Sequence, residues 1–233
     1  MTKSTKQTKR TKQTKSTKQT NKQTRIAVIG CGYWGKNLVR NFYELNALYA
    51  ICDSEEKILN HLKQKYPNLT AYQDVSRVLA DPKIKAVAIS TPAATHCDLA
   101  TQALNAGKDV FVEKPIALNH KEGKELVSLA DDKNRILMVG HILEYHPAIT
   151  KLKHMIDKGE LGKINYIYSN RLNLGKFRTE ENILWSFAPH DISAILNLLG
   201  EMPEDVSAYG GNFLNPDITD VTVTNMTFPS VRI

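Results

Sequence analysis

The sequence predicts an α/β fold in which a doubly wound parallel sheet is followed by an incomplete α+β domain with a mostly antiparallel sheet. Three observations support this prediction. Short, continuously apolar strands alternate with amphipathic helices over 25–141, which is typical of a parallel sheet covered on both faces. A glycine-rich turn joins the first strand to the first helix. After residue 144 the strands lengthen and alternate apolar with polar residues, as antiparallel strands do.

The periodicity also predicts the individual elements. In the first half we expect strands at 25–30, 47–52, 70–72, 85–90, 109–113 and 135–140, and helices at 33–45, 54–66, 95–106 and 119–132. In the second half we expect a helix at about 147–158, a strand at 163–173, a helix at about 190–199 and strands near 204–212 and 219–228. Three strands make a thin sheet, so we expect the domain at 144–233 to be partial.

The turn after the first strand reads IGCGYWG and carries three spaced glycines. Gly30 would allow a tight turn, Gly32 would let the backbone approach a pyrophosphate, and Gly35 would let the helix pack closely on its strand. Tyr33 and Trp34 lie in the same turn. The free N–H groups of the helix would then bind the anion. Ordinary turns are also rich in glycine, so this pattern needs support from elsewhere.

That support comes from Asp53, which follows the second strand at close to the roughly twenty-residue spacing of dinucleotide-binding units. Alone, Asp53 could simply cap the next helix. Together, strand, glycines and acid predict a Rossmann domain at 25–143 whose acid binds an adenosine ribose. A 2′-phosphate would be repelled by this acid and by Glu55 and Glu56, so we expect NAD rather than NADP.

Residues 1–24 form a Thr/Lys repeat that has no apolar residue after Met1 and no acid, so we expect disorder. Nine of the 31 basic residues lie in 1–25, which leaves 22 against 24 acids in the rest. We therefore expect no nucleic acid partner for the folded body. The repeat itself could contact RNA, DNA or anionic lipid, although an inert solvated segment is the simpler interpretation.

Other features limit the location and the chemistry. The N-terminal segment has no apolar core, so it is not a secretory signal, and no stretch is long and apolar enough to span a membrane. Cys31, Cys52 and Cys97 are odd in number and lack metal-ligand spacing. We therefore expect reduced thiols, a cytoplasmic location, no membrane partner and no metal. A serine hydrolase is excluded because no G-x-S-x-G motif is present.

Candidate reactive residues follow the predicted strands. Lys114, next to Glu113 at the end of the fifth strand, could hydrogen-bond a substrate hydroxyl and stabilise an alkoxide, although most lysines in turns are surface residues. The segment Ser90-Thr91-Pro92 and His96 end at the same edge, where Thr91 could contact the cofactor. His96 could equally be an ordinary helix residue.

In the second half the segment ENILWSFAPHDIS, 181–193, is the densest cluster of candidates. His190 and Asp191 follow Pro189 at a predicted helix start, where a neutral imidazole can exchange a proton with a sugar hydroxyl. Both residues could instead cap that helix.

The chain resembles the glucose-fructose oxidoreductase and inositol dehydrogenase (Gfo/Idh/MocA) family. The resemblance rests on six features in this order: IGCGYWG, Asp53, STPAATH, VFVEKP, MVGH and LWSFAPHDIS. The resemblance covers 25 to about 228. It implies an NAD(P)-dependent dehydrogenase that acts on a small-molecule sugar or cyclitol, with Lys114 and His190 as its catalytic residues. For a full-length version it also implies a homo-oligomer.

The form LWSFAPHDIS is most similar to the nucleotide-sugar branch, which oxidises the 3-hydroxyl of a UDP-linked N-acetylated sugar or its uronic acid. Alternatives are an inositol or free-sugar dehydrogenase and a non-catalytic dinucleotide-binding protein. Candidate cofactor-binding residues are Gly30, Gly32, Tyr33, Trp34, Gly35, Asp53, Ser90, Thr91, Pro92, His96, Glu113 and Lys114. Candidate substrate-binding residues are Lys114, His141, Tyr145, Arg171, Arg178, Asn182, Trp185, His190 and Asp191.

The sequence departs from the family at Ser186, where members often have an aspartate, which favours Lys114 with His190 as the reactive pair. Members also usually continue beyond this C-terminus, and they lack the Thr/Lys repeat. On these grounds we expect the chain to bind NAD better than it catalyses.

Overall fold

A computed structural model describes residues 24–172 and 182–231 of the chain. The first domain is built on six parallel strands in the spatial order β3-β2-β1-β4-β5-β6. This order confirms the predicted doubly wound sheet, since β4 pairs with β1 and the chain then winds in the other direction. The strands are β1 (Ile26–Ile29), β2 (Leu48–Cys52), β3 (Thr70–Tyr72), β4 (Ala86–Ile89), β5 (Asp109–Val112) and β6 (Leu137–Val139).

Five helices cover the two faces of this sheet, and two separate buried clusters show which helix lies on which face. Val39, Leu59 and Leu62 of the first two helices pack with Val28 and Ile51 on one face. Residues of the third to fifth helices pack on the other face. The helices are α1 (Gly35–Glu44), α2 (Glu56–Lys65), α3 (Val75–Ala80), α4 (His96–Asn105) and α5 (His120–Asp132).

In the second part of the chain the described residues form two helices and a hairpin, joined to the first domain by a short 3₁₀ helix at Ile142–Tyr145. The hairpin strands pair antiparallel in register from Asp205↔Thr227 to Gly211↔Val221, as the alternation predicts. None of the helices in the described residues is long and apolar enough to cross a membrane. The elements are α6 (Pro147–Asp157), α7 (Ile183–Leu199), β7 (Asp205–Gly211) and β8 (Val221–Thr227).

Most bounds lie within two residues of those predicted, but two predictions for the second half are wrong. Residues 163–172 form no strand. Alternation makes a segment suitable for a strand, but its backbone N–H groups also need a neighbouring strand, and among the described residues no strand pairs with this segment.

The second error concerns the helix expected at about 190, which begins at Ile183. Asn182 caps it by accepting a hydrogen bond from the N–H of Trp185 at 3.1 Å. Pro189 therefore lies inside α7, although proline usually marks the first turn of a helix. His190 and Asp191 are mid-helix residues, so the helix-capping alternative for them is wrong as well.

Steric closeness in the glycine turn predicts the effect of adding one methyl group. A Cβ on Gly35 would lie 1.9 Å from the Gly30 carbonyl oxygen, so the backbone must shift. We expect Gly35→Ala to lower the free energy of unfolding by roughly 1–3 kcal/mol, measured by urea denaturation. As a control, a Cβ on Gly123 inside α5 meets only Ile116 at 3.7 Å. Gly123→Ala should raise stability by up to about 1 kcal/mol. Equal stability of Gly35→Ala and the wild type would contradict this packing.

Candidate functional site

The glycine turn has the geometry that an anion-binding loop requires. Gly30 has a φ of +82°, and a Cβ on it would lie 2.8 Å from the Ser90 carbonyl carbon and from the Thr91 backbone nitrogen. The Ser90 hydroxyl donates to the Gly30 carbonyl oxygen at 2.6 Å, which joins this turn to the end of β4. Nothing lies within 4 Å of a Cβ placed on Gly32, so the backbone there is open to a ligand. These features fit a bound pyrophosphate.

Asp53 lies between the glycine turn and the start of α2. One carboxylate oxygen accepts a hydrogen bond from the Cys31 N–H at 2.7 Å, and the other accepts from the Glu55 N–H at 3.0 Å. A carboxylate has about four acceptor sites, so these two bonds leave capacity for a ribose hydroxyl. Asp53 therefore has a structural role in this edge as well as the predicted binding role.

His96 lies beneath the same edge, with only 1% of its surface exposed. Its Nδ1 is 2.7 Å from the Pro115 carbonyl oxygen and its Nε2 is 2.8 Å from the Thr91 carbonyl oxygen. It thus links the turn after β4 to the turn after β5, and neither ring nitrogen is open to a ligand. Thr91 is more accessible, and its hydroxyl shares a 2.7 Å hydrogen bond with that of Thr95. Pro92 is exposed beside it.

Glu113 is a buried acid held next to the glycine turn. The indole Nε1 of Trp34 donates to its carboxylate at 2.7 Å. Burial raises the pKa of Glu113, while the Trp34 hydrogen bond lowers it in part. A Cβ on Gly140 would lie 2.9 Å from the same carboxylate, so the glycine at the end of β6 leaves the space that the acid occupies. Trp34 thus reaches the buried acid through its indole N–H although 40% of the residue is exposed, whereas Tyr33 is 88% exposed.

Lys114 connects the two domains. Its Nζ donates to the backbone carbonyl oxygen of Ser186, in the first turn of α7, at 2.7 Å. Three polar atoms in this region are buried and have no hydrogen-bond partner among the described residues, namely His141 Nδ1, Ser186 Oγ and His190 Nδ1. Buried polar atoms are normally paired, so their presence together points to a site for a polar ligand.

The electrostatics keep both histidines neutral. Burial lowers the pKa of His190 to about 4, and the positive charges of Lys114 and Arg171 lower it further. Burial also lowers the pKa of His141, while Glu144 opposes this shift. Near neutral pH both imidazoles can accept a proton, and a positively charged Lys114 lies close to them.

The remaining substrate candidates fall into two groups. Arg171 donates to both carboxylate oxygens of Asp191, at 2.8 and 3.3 Å, and Ser169 also donates to that carboxylate at 2.8 Å. This pairing holds the segment before α7 against the helix.

Asn182 is the α7 cap, whereas Trp185 and Tyr145 are 36% and 68% exposed. Arg178 and the predicted disordered tail at 1–24, apart from Thr24, lie outside the described residues.

Sequence reasoning did not identify three residues that shape this region. Glu144 accepts a 2.7 Å hydrogen bond from Ser193, which ties the 3₁₀ helix to α7 near the two histidines. Ser169 contributes its bond to Asp191. No motif marks these residues, because their roles depend on contacts between segments 22 to 49 positions apart.

The cysteines and metal-ligand types offer no other chemistry in this part of the chain. All three cysteines are free thiols, and burial raises the pKa of Cys31 and Cys52 to about 12, which keeps them protonated. Within 24–172 and 182–231 no group of three or more His, Cys, Asp or Glu side chains could hold a metal ion.

Family models match both parts of the chain. Residues 24–141 match the model described as the oxidoreductase family, NAD-binding Rossmann fold, and 149–233 match the GFO/IDH/MocA C-terminal domain. The chain therefore belongs to the Gfo/Idh/MocA family of oxidoreductases. Its first domain is an NAD-binding Rossmann domain, as the sequence predicts.

The chain is similar to proteins that are named for different activities. The scyllo-inositol 2-dehydrogenase (NAD(+)) of Bacillus subtilis is 31% identical over 83% of this chain and 59% of its own length. The UDP-N-acetylglucosamine 3-dehydrogenase of Acidithiobacillus ferrooxidans is 29% identical over 80% of this chain and 58% of its own. The crystal structure of that dehydrogenase aligns with a TM-score of 0.78, at 28% identity, over 89% of this chain and 61% of the solved one.

A third relative, the 2,7-anhydro-N-acetylneuraminate hydratase of Mediterraneibacter gnavus, is 27% identical over 91% of this chain and 60% of its own length. The chain thus spans about 60% of the length of the curated relatives that it matches. The names of these relatives also show that proteins similar to this chain differ in substrate and in reaction.

The low pKa of His190 leads to a titration experiment. We expect the His190 imidazole to remain neutral when the pH is lowered to 6 and to protonate only near pH 4, as followed by NMR with His190→Gln for assignment. Arg171→Met removes one positive neighbour and should raise this pKa part of the way, because burial is the larger cause. Lys158→Met removes an exposed charge at the end of α6 and should change nothing. A His190 titration near pH 6.5 in the wild type would contradict the site geometry.

Proposed function

We propose that this chain carries the catalytic centre of an NAD-dependent dehydrogenase that oxidises a ring hydroxyl of a sugar, with a UDP-linked N-acetylated sugar or its uronic acid as substrate. The observation that carries this proposal is the group of three unpaired buried polar atoms, on His141, Ser186 and His190, beside Lys114. A substrate hydroxyl brings both a donor and an acceptor, so it matches what these atoms lack.

The chain's residues would divide the work as follows. His190, neutral at physiological pH, accepts the proton of the reacting hydroxyl and passes it to solvent. Lys114 donates a hydrogen bond to the oxygen and stabilises the negative charge that develops on it. The carbon–hydrogen bond then breaks as a carbonyl forms. His141 is close enough to His190 to affect its pKa and offers a second neutral imidazole to a substrate hydroxyl.

NAD, when bound, supplies the acceptor for the hydride. Its pyrophosphate would lie on the turn of Gly30, Gly32 and Gly35, and Asp53 would accept from its adenosine ribose. Of the other cofactor candidates, Tyr33, Thr91 and Pro92 are accessible at this edge. Trp34, Ser90, His96 and Glu113 act through the contacts that hold the edge together.

Support for a nucleotide-sugar substrate comes from the exposed groups around α7. Trp185 offers a partly exposed aromatic face, on which a sugar ring can pack. Arg171 is 38% exposed although it pairs with Asp191, and a guanidinium can also donate to a carboxylate or diphosphate. The similarity to a UDP-N-acetylglucosamine 3-dehydrogenase favours the same choice. We place the reaction in the cytoplasm, since the three cysteines are free thiols.

A substrate panel tests this assignment. NADH formation is measured with UDP-N-acetylglucosamine, its uronic acid, myo-inositol, scyllo-inositol and glucose, and the binding of each to the NADH-loaded protein is measured by calorimetry. We expect a UDP-sugar to bind most tightly and to give the highest kcat/KM. Preference for an inositol would replace the nucleotide-sugar assignment with the cyclitol alternative. NAD binding without affinity for any of these compounds would support a non-catalytic dinucleotide-binding protein.

The proposed roles of Lys114 and His190 lead to a prediction for turnover. Lys114→Met and His190→Gln should each lower turnover by roughly 10² or more, because a positioned charge stabiliser or base is lost. The Kd for NAD should stay the same in His190→Gln, since His190 is on α7 and not on the Rossmann domain. Asp191→Asn is the neighbouring control and should cost less. Intact turnover in His190→Gln together with loss of turnover in Asp191→Asn would show that Asp191, and not His190, has the role of the base.

Asp53 controls the choice of cofactor in this proposal. Asp53→Ala should weaken NAD binding by about 10-fold or more, because hydrogen bonds to a charged group are lost. The same change should reduce the preference for NAD over NADP. Affinities for the two dinucleotides are measured by fluorescence titration. Asp132→Ala, at the exposed end of α5, should alter neither. Unchanged affinities for both in Asp53→Ala would reject the ribose role.

A further inference from the structure

Outside the reactive site, a groove of about 550 Å³ runs between α1 and α2 on one face of the first domain. Five basic side chains line it, and none of its lining residues carries a carboxylate. The four lysine and arginine residues among them form no ion pair within 24–172 and 182–231. The basic residues are Lys36, Arg40, Lys57, His61 and Lys65.

The spacing of these residues is regular. Lys36 and Arg40 are four positions apart on α1, and Lys57, His61 and Lys65 follow one another at four-residue intervals on α2. Four residues of helix rise about 6 Å, and residues four apart lie on the same side of a helix. The groove is therefore bordered by two facing rows of basic groups, spaced at about the separation of successive phosphates in a nucleic acid strand.

The cofactor accounts for only one end of this groove. Gly32 and Tyr33 line the end at the glycine turn. Lys65 ends α2, about 13 Å away along the helix, at the opposite edge of the sheet. A pyrophosphate on the glycine turn does not need these distant charges, so another anionic ligand has to be considered.

We propose that the groove between α1 and α2 binds the phosphate backbone of a single-stranded nucleic acid. Tyr33 lies at the end of the groove next to the glycine turn and is 88% exposed. Lys36 Nζ is 5.3 Å from the centroid of the Tyr33 ring. An exposed aromatic ring beside a row of cations is the combination on which unpaired bases stack while the backbone is neutralised. A membrane surface fits less well, because a flat surface cannot reach cations on both walls of a groove.

The described part of the chain begins at the edge of the sheet where one end of the groove lies. The Ile26 N–H donates to the carbonyl oxygen of Ala47, three residues after the end of α1, so the chain enters β1 at the edge where Lys65 lies. Residues 1–25 contain nine basic residues and no acid. The nearly equal numbers of acidic and basic residues in the folded body therefore do not exclude a nucleic acid partner. A total charge does not show that basic residues cluster in one groove.

Fluorescence anisotropy with a labelled oligouridylate over a salt series tests this proposal on the full chain. We expect Arg40→Glu/Lys65→Glu to weaken binding at least 10-fold and to make the salt slope less steep by roughly 1.4, the value for two lost phosphate contacts on a single strand. Lys124→Glu/Lys133→Glu makes the same charge change at exposed positions on the opposite face and should weaken binding less than 3-fold. Neither pair touches the reactive site.

Each result has a defined meaning. Equal weakening by both double variants would overturn the proposal, since net charge and the N-terminal repeat would then account for the affinity. Binding of polyglutamate or of phosphatidylserine vesicles as tightly as RNA at the same salt would also overturn it. Unfolding midpoints and NAD affinity check that the variants are folded. Arg40→Gln/Lys65→Gln, which only removes charge, replaces the double glutamate variant if that protein does not fold and should then weaken binding at least 3-fold.

Discussion

The hydrogen bond from Lys114 to the carbonyl oxygen of Ser186 is the contact on which the proposed site depends. It joins the end of β5 in the Rossmann domain to the first turn of α7, and it lies among the three unpaired buried polar atoms. Pro189 lies three residues after Ser186 and brings no N–H to this turn, so the helix there lacks one donor. The missing N–H would have bonded the Trp185 carbonyl, next to the Ser186 carbonyl that Lys114 contacts, so this bond lies in the same part of α7 as the proline.

The low pKa of His190 follows from this arrangement. Bringing α7 against the first domain buries the imidazole and places it near a lysine and an arginine. Both effects disfavour the protonated ring, so the packing that buries His190 also keeps its imidazole neutral. Asp191, which is next to His190 in sequence and pairs with Arg171, partly opposes the lowering of the His190 pKa, because its carboxylate favours the charged imidazole. The site therefore combines groups that act in opposite directions on one proton.

Most of the Rossmann domain could be predicted from the sequence, because its signals are local. Apolar runs, glycine spacing and Asp53 depend on neighbours a few residues away, and they gave all six strands. The second half was predicted less well for a physical reason. The segment 163–172 alternates like a strand but pairs with no strand among the described residues, and Pro189 resembles a helix start although Asn182 caps the helix earlier. Which strand a segment pairs with and which residue caps a helix depend on the tertiary structure.

The site shows the same division. Lys114 and His190 can be proposed from their motifs, whereas the roles of Glu144 and Ser169 depend on contacts that no motif encodes. His96 was a candidate because of its position, but the structure buries it between two turns. The charge of the body shows a related limit, since a nearly balanced total conceals the basic rows on α1 and α2.

The glycine at the end of β6 has an evolutionary consequence. The carboxylate of Glu113 fills the space that a side chain at 140 would need, and Trp34 holds the acid there. A larger residue at 140 could be accommodated only if the acid at 113 became shorter or left its indole donor. The two positions, on neighbouring strand ends but 27 residues apart in sequence, are thus expected to vary together among related proteins.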